Sequence, residues 1–377
     1  MSEKIPLDEL LGLIKKEVDP VILEKAEERQ SAVWYGKEPD YLPILVSEES
    51  LPERENYPVF DLKEQFFDPE KMLYEQLWPI LDILRAKSDS VPSVRVNFGT
   101  GFLATVFGLK QEVFPDKMPW LKSHLTKDEI LKLTPEKLEP IAEKGLMPDC
   151  GRFVQFYREK LYGTPVKIYL PDTQGPFDLA HLIIGDSIFT EFYDDPVFVR
   201  HILTLTAYAY RTASLKIKEW IGEAETSGYH SGTLYMSGCG VRACEDTTTL
   251  LSPDLIEVTL PFLREGLRPF GGWIHFCGRG QILLSQVLSL PEIRGVNFGN
   301  PERYPWGETV AQIVSAGKVY FGNVSRNEEE SLAEYLERVL SGLKRKSNLI
   351  FQPFLKPGES AQEAVTAWRK TQDRLFG

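Results

Sequence analysis

Short apolar runs rich in β-branched and aromatic residues alternate with amphipathic helical stretches from about residue 91 to the end of the chain. Strands that alternate with helices pair in parallel through right-handed crossovers, so this pattern favours a closed barrel or an open doubly wound sheet. We predict strands over residues 93–98, 166–171, 232–237, 241–245, 272–277, 294–298, 318–323 and 348–352.

The segment after the first predicted strand helps to choose between these two architectures. NFGTGFLATVFG contains G-x-G but lacks the third glycine of a dinucleotide-binding fingerprint at the required spacing. We therefore predict an α/β fold of the closed type, a (β/α)8 TIM barrel over residues 91–377. Residues 1–90 read as helical stretches around an irregular, proline-rich segment, and we predict that they form an N-terminal helical arm packed on the barrel.

Composition excludes several classes of function. The 377 residues carry a formal net charge of −12, which argues against a protein that binds the phosphate backbone of nucleic acids. No apolar run approaches the roughly 20 residues needed to span a membrane, and the first residues mix charged with apolar side chains, unlike a signal peptide. The four cysteines are too few and too scattered for a disulfide framework. We therefore expect a cytoplasmic protein without a membrane partner.

The segment GGWIHFCGRG carries the clearest candidate for a metal site. His275 and Cys277 are two residues apart, so on a strand their side chains share one face, and the following glycine turn places them near the strand end. Imidazole and thiolate suit zinc, and a catalytic zinc usually has three protein ligands. Cys244, at the end of another predicted strand, is the preferred third ligand. A buried structural His–Cys pair is the competing interpretation.

Adjacent acidic residues follow Cys244 in CEDTTTLLSP. Asp246 and Glu245 are candidates for a catalytic acid or base, or for orienting a substrate. The alternative is that Asp246 and the threonines satisfy backbone groups of the loop.

Substrate contacts are predicted at other strand ends. In YLPDTQGPFDLA, Asp172 and Gln174 follow a strand, whereas Asp178 is placed to cap the next helix. Asn323 and Gln352 end two later strands. Arginine binds carboxylates and phosphates bidentately, and Arg279 is the best placed of four candidate anchors, which are Arg95, Arg152, Arg242 and Arg279. Trp273 and Phe276 are expected to face the helix layer.

Several motifs, taken in order, resemble those of a known superfamily. The matching segments are PFDLA followed by DDP and a long helix over 176–220, CEDTTTLLSPDLIEVTLPFL over 244–263, GWIHFCG over 272–278, GVNFGN over 295–300 and VYFGNVS over 319–325. Over residues 25–377 the chain resembles the uroporphyrinogen decarboxylase superfamily. The H-x-C-G element is similar to that of its methylcobalamin:coenzyme M methyltransferase branch.

The methyltransferase branch implies a TIM barrel with a zinc ion held by the H-x-C pair and a distant cysteine. The zinc binds a small thiol as thiolate, which takes a methyl group from a corrinoid carried by a partner protein. His275 and Cys277 match the pair, but no cysteine follows Cys277. The third ligand is therefore left open among Cys244, Asp246, Glu245 and Gln352.

The decarboxylase branch implies a different chemistry, a metal-free lyase acting on a carboxylated or tetrapyrrole substrate. ERQSAVWYGKEPDYLP over 28–43 keeps Arg29, Asp40 and Pro43 of the family's N-terminal segment. Its arginine–glycine signature is missing, and FQPF stands where the family has a G-H-G-like turn. A non-catalytic barrel that binds a corrinoid protein or a tetrapyrrole is a third interpretation. Whether the arm covers the barrel mouth or forms a homodimer contact stays open.

Overall fold

The computed structural model describes residues 6–47 and 52–377, so the first five residues and residues 48–51 of the predicted arm lie outside the described residues. Its α-helices are α1 Leu7–Glu17, α2 Pro20–Trp34, α3 Leu62–Phe67, α4 Pro69–Ala86, α5 Lys127–Ile130, α6 Met147–Lys160, α7 Pro176–Ile184, α8 Ser187–Asp194, α9 Pro196–Ile221, α10 Pro253–Leu267, α11 Gln281–Val287, α12 Trp306–Ser315, α13 Leu332–Ser341 and α14 Ala361–Phe376.

The strands are short. They are β1 Ser93–Arg95, β2 Gln111–Glu112, β3 Trp120–Leu121, β4 Lys167–Tyr169, β5 Ser227–His230, β6 Leu234–Ser237, β7 Val241–Cys244, β8 Gly272–Phe276, β9 Ile293–Phe298, β10 Val319–Gly322 and β11 Leu349–Phe351. Eight of the eleven strands that the structure describes overlap the predicted apolar runs, whereas β2, β3 and β5 were not predicted.

A parallel sheet of five strands, in the order β11-β10-β9-β8-β7, forms the centre of the molecule. Beyond β7, Gln174 bridges in parallel to Cys244, and the preceding strand β4 pairs in parallel with β1. Beyond β11, Ile44 bridges in parallel to Phe351. The predicted alternation of helices with parallel strands is therefore confirmed. Closure into a complete (β/α)8 barrel is not seen among the strand pairings of the described residues and stays a prediction.

The prediction of a parallel strand over residues 232–237 is wrong. β6 pairs antiparallel with β5, and two of the three residues between them, Ser231 and Gly232, have φ values of 53° and 74°. Positive φ at both central residues is what a type I′ turn requires, and the Thr233 N–H closes this turn by donating to the His230 carbonyl at 3.2 Å. The hairpin tip lies against the start of β1, where the N–H of Val91 donates to the Thr233 carbonyl at 2.8 Å. A hairpin tip, rather than another parallel strand, thus flanks the first strand.

The helices of the predicted arm are confirmed, and they share one hydrophobic core with the sheet, from Leu7 to Trp368. A buried ion-pair group ties three segments of the arm to one another, and one of its members, Ile44, bridges to Phe351 of β11. Arg29 donates from Nη1 to Asp89 Oδ1 at 2.6 Å, and Asp89 Oδ2 accepts from the N–H of Ile44 at 3.1 Å. The domain boundary at residues 90/91 stays a prediction.

Local sequence signals explain where the longer helices begin and end. α9 begins at Pro196 after Asp195, whose carboxylate accepts from the N–H of Phe198, and it ends before Gly222 with a φ of 85°. Proline in the first turn, an acidic N-cap and a glycine after the last turn are the usual limits of a helix. None of the described helices is long and apolar enough to cross a bilayer.

Candidate active site

A cavity of about 490 Å³ lies among the strands that carry the predicted site residues. Six candidate residues from the sequence analysis line it, namely Arg95, Asp172, Arg242, His275, Asn323 and Gln352. The C-terminal ends of parallel strands meet at one edge of a sheet, and side chains remote in sequence converge there. The cavity is therefore the candidate active site.

Two arginines share one carboxylate on the cavity wall. Arg95 Nη1 lies 2.5 Å and Arg242 Nη1 lies 3.0 Å from Asp172 Oδ1. Burial alone would favour the neutral acid, but the charge of Arg95, followed by that of Arg242, outweighs it and holds the pKa of Asp172 at about 2. Two positive charges against one negative charge leave this wall cationic. Arg95 and Arg242, rather than the favoured Arg279, are thus the arginines that line the cavity.

The neighbouring strand fixes the hydrogen-bonding state of His275. The Asn297 amide donates from Nδ2 to the Phe321 carbonyl at 2.6 Å, so its Oδ1, 2.5 Å from His275 Nδ1, is left to accept. Burial, with a further contribution from Arg242, lowers the pKa of His275 and favours the neutral ring. A neutral ring that donates from Nδ1 presents the lone pair of Nε2, which is the form that binds metal ions.

Candidate ligand atoms for a metal ion converge on that ring. Ligand atoms of Cys244, Asp246 and His275 all lie within 4.8 Å of one another. Cys277 Sγ lies 3.6 Å from His275 Nε2, and the Cys277 N–H donates to Asp246 Oδ1 at 2.6 Å. Thiolate, imidazole and carboxylate are the three ligand types that proteins use for zinc. The donor chemistry therefore fits zinc, with Cys277 beside the three-residue group.

Burial sets the protonation of the two thiols. It raises the pKa of Cys244 well above its ordinary value and the pKa of Cys277 to about 11, and Asp246 adds to both effects. A thiol must lose its proton to become a ligand, so metal binding at this site would release protons.

The other predicted residues lie outside the cavity lining. Glu245 is 2% exposed and points toward Gly175 and Thr248, whose hydroxyl donates to it, and burial raises its pKa to about 8. Gln174 is buried and pairs with Cys244 through the backbone. Neither Gln174 nor Arg279 lines the cavity.

Asp178 does not cap its own helix, contrary to the prediction. Its carboxylate accepts from the N–H groups of Asp246 at 2.7 Å, Thr247 at 2.8 Å and Thr248 at 3.3 Å. These bonds hold the turn that follows β7. Asp178 therefore positions Asp246 beside Cys277.

The aromatic side chains at the cavity were not predicted from the sequence. Trp273 lines the cavity and does not face the helix layer, so that prediction is wrong. Its ring centroid lies 5.1 Å from that of His230 and 5.5 Å from that of Phe321, and His230 lies 5.2 Å from Tyr169. Strand alternation was the available signal, because Trp273 precedes His275 by two residues and must share its face.

Neither the protein-family models nor the curated proteins gave a match to this chain. Among solved structures, the chain is similar to a methyltransferase from Methanosarcina mazei, with 16% sequence identity and a TM-score of 0.63. The match covers 93% of this chain and 99% of the other. Over nearly its full length, the chain therefore has the fold of that methyltransferase.

Proposed function

We propose that this chain is a zinc-dependent methyltransferase that transfers a methyl group between a corrinoid, either free or carried by a partner protein, and a small thiol-type acceptor. The observation that carries the proposal is the convergence of Cys244, Asp246 and His275 at the strand ends beside a cavity. The fold shared with a methyltransferase supports it. A closed (β/α)8 barrel and membership of the uroporphyrinogen decarboxylase superfamily belong to the same proposal.

Cys244, Asp246 and His275 would hold the zinc, with Cys277 as the further ligand that the H-x-C resemblance implies. Zinc at this position would lower the pKa of a substrate thiol, so that the nucleophilic thiolate forms near neutral pH. Asn297 would keep the His275 ring in its metal-binding tautomer. Asp178 would keep Asp246 in place through the backbone of the turn.

The cavity wall indicates what kind of thiol is bound. Arg95 and Arg242 exceed Asp172 by one positive charge, and guanidinium groups bind carboxylates and phosphates well. Asn323 and Gln352 add neutral hydrogen-bonding groups to the lining. A volume of about 490 Å³ suits a small acceptor rather than a macrocycle. The corrinoid, free or on a carrier protein, would therefore approach at the cavity mouth.

A metal-free lyase is the second candidate, and the group Arg95–Asp172–Arg242 is the observation that favours it. The two arginines would hold a carboxylated substrate without any metal, and Asp246 would stabilise a developing positive charge. Activity that survives complete chelation separates this candidate from the first.

Methyl transfer from free methylcobalamin to small anionic thiols, followed by the change in cobalamin absorbance, tests the proposal. We expect turnover that is lost on chelation and restored by zinc. Cys244→Ser should abolish it, whereas Cys150→Ser, the same change at a buried cysteine of α6, should leave it intact. Full turnover in the chelated protein or in the Cys244 variant would contradict the proposal.

A further inference from the structure

His230 lines the cavity and has no role in the function proposed above. It is the last residue of β5 and pairs with Leu234 across the hairpin. Its carbonyl accepts from the N–H of Thr233 at 3.2 Å, so the turn fixes the backbone at this position. The antiparallel hairpin, where a parallel strand was predicted, is therefore what brings a second imidazole to the cavity.

Two aromatic side chains flank the His230 ring, and an arginine lies over each of them. The His230 centroid is 5.2 Å from that of Tyr169 and 5.1 Å from that of Trp273. The guanidinium carbon of Arg95 lies 5.9 Å from the Tyr169 centroid, and that of Arg242 lies 5.9 Å from the Trp273 centroid. Tyr169 itself is uncharged at neutral pH, because burial raises its pKa. The imidazole is therefore one ring away from both arginines of the anion site, which is Arg95 and Arg242.

The two ring nitrogens of His230 have no partner within the described residues. The side chain makes the two ring contacts, but neither Nδ1 nor Nε2 takes part in a hydrogen bond or an ion pair. Both nitrogens keep accessible surface, because neither belongs to the buried side-chain atoms that lack a partner. His275, in contrast, is already bonded through Nδ1 to Asn297. His230 therefore offers hydrogen-bonding atoms to a ligand in the cavity.

The surroundings of His230 favour the neutral ring. Burial, followed by the charge of Arg242, lowers the pKa of His230 well below its ordinary value of 6.5. Arg95 and His275 act in the same direction, and Asp172 opposes them. An anion bound at the two arginines would offset their charge and would itself favour the protonated ring. Anion binding and protonation of His230 should therefore support each other.

We propose that His230 is a third anion-binding residue of this cavity, and that it takes up a proton when the anionic group of the acceptor binds at Arg95 and Arg242. This inference rests on the anion site of the proposed function, but it does not depend on zinc. With Asp172 ionised, the two arginines leave one net positive charge, and the imidazolium adds a second. The cavity therefore binds anionic acceptors more tightly as the pH falls.

Calorimetric titration of the full chain with acetate, from pH 8 to pH 6, tests the proposal. Metal is first removed with a chelator and dialysis, so that acetate does not report on a metal. Because the anion-bound ring has the higher pKa, the affinity should rise as the pH falls, by about fourfold over this range if acetate restores the ordinary pKa of His230. Titrations at pH 6 in two amine buffers with different heats of ionisation should show the uptake of roughly 0.8 proton per acetate.

Substitutions assign the proton to one histidine. His230→Gln keeps a hydrogen-bonding side chain but cannot titrate, and its affinity for acetate should not change with pH. His124→Gln is the matched control at an exposed histidine, which bonds to the Leu182 carbonyl, and it should behave as wild type. If His230→Gln does not fold, His275→Gln decides the matter, because it should retain the proton uptake on acetate binding.

A wild-type affinity that does not change with pH, or a pH dependence that persists in His230→Gln, would overturn the role of His230 and leave the anion site standing. Loss of the proton uptake in His275→Gln would do the same. Failure of acetate to bind at any pH would overturn the anion site and this inference together. None of these results would bear on zinc, which is measured separately.

Discussion

Asp172→Asn tests the electrostatics of the cavity wall. The pKa of Asp172 falls from the ordinary 3.8 to about 2 because Arg95 and Arg242 both contact Oδ1. Each pKa unit corresponds to about 1.4 kcal/mol, so the ionised carboxylate stabilises the folded state by about 2 kcal/mol. The asparagine variant lacks this charge, and we expect its free energy of unfolding to fall by that amount at neutral pH.

Equilibrium unfolding in urea, measured from pH 7 down to pH 2, provides the assay. Because the folded-state pKa lies below the unfolded-state value, the stabilisation is complete above 3.8 and disappears as the pH falls toward 2. The difference between wild type and variant should therefore shrink over that interval.

Asp149→Asn is the matched control, because Asp149 pairs with Arg152 at the surface, where the side chains are 49% and 54% exposed. Exposed ion pairs contribute at most about 1 kcal/mol to stability, and we expect little change in the free energy of unfolding of this variant. Equal losses in the two variants, or a difference that grows as the pH falls, would refute the reasoning.

Three further substitutions probe the site. Asn297→Ala removes the partner of His275 Nδ1 and should weaken zinc binding about 10–100-fold in a chelator competition; unchanged affinity would mean that the ring needs no orienting partner. Gly322→Ala places a methyl group 2.2 Å from Asn297 Nδ2, at a backbone position with a φ of 133°. This variant should bind zinc more weakly, and its free energy of unfolding should fall by about 1–3 kcal/mol. A denaturation curve identical to that of wild type would contradict this expectation. Trp273 is 2% exposed, and Trp273→Ala should lower the free energy of unfolding in urea by about 3–5 kcal/mol. A much smaller loss would show that the ring is not tightly packed.

The parts of the fold that depend on local sequence were predictable. Buried parallel strands appear as short apolar runs, and β7 to β11 lie where those runs occur. The shared face of His275 and Cys277 followed from the two-residue period alone, and the same rule would have placed Trp273 correctly. Ser231-Gly232 between two strand-like runs was also a readable hairpin signal.

The parts of the site that depend on strand order were not predictable. Asn297 reaches His275 because the two residues are in register on neighbouring strands β9 and β8. Arg95 and Arg242 meet at Asp172 because β1 and β7 lie on either side of the β4 segment. Neither strand pairing can be inferred from the local sequence. Arg279 was preferred as the anion-binding arginine only because it directly follows the H-x-C turn.

The zinc content of tag-free protein, measured by elemental analysis after dialysis, tests the central claim most directly. Wild type should hold close to one zinc per chain, Cys244→Ser and His275→Ala should lose it, and Cys150→Ser should retain it. A wild-type protein that takes up no zinc, or variants that hold as much as wild type, would contradict a metal site at Cys244, Asp246 and His275.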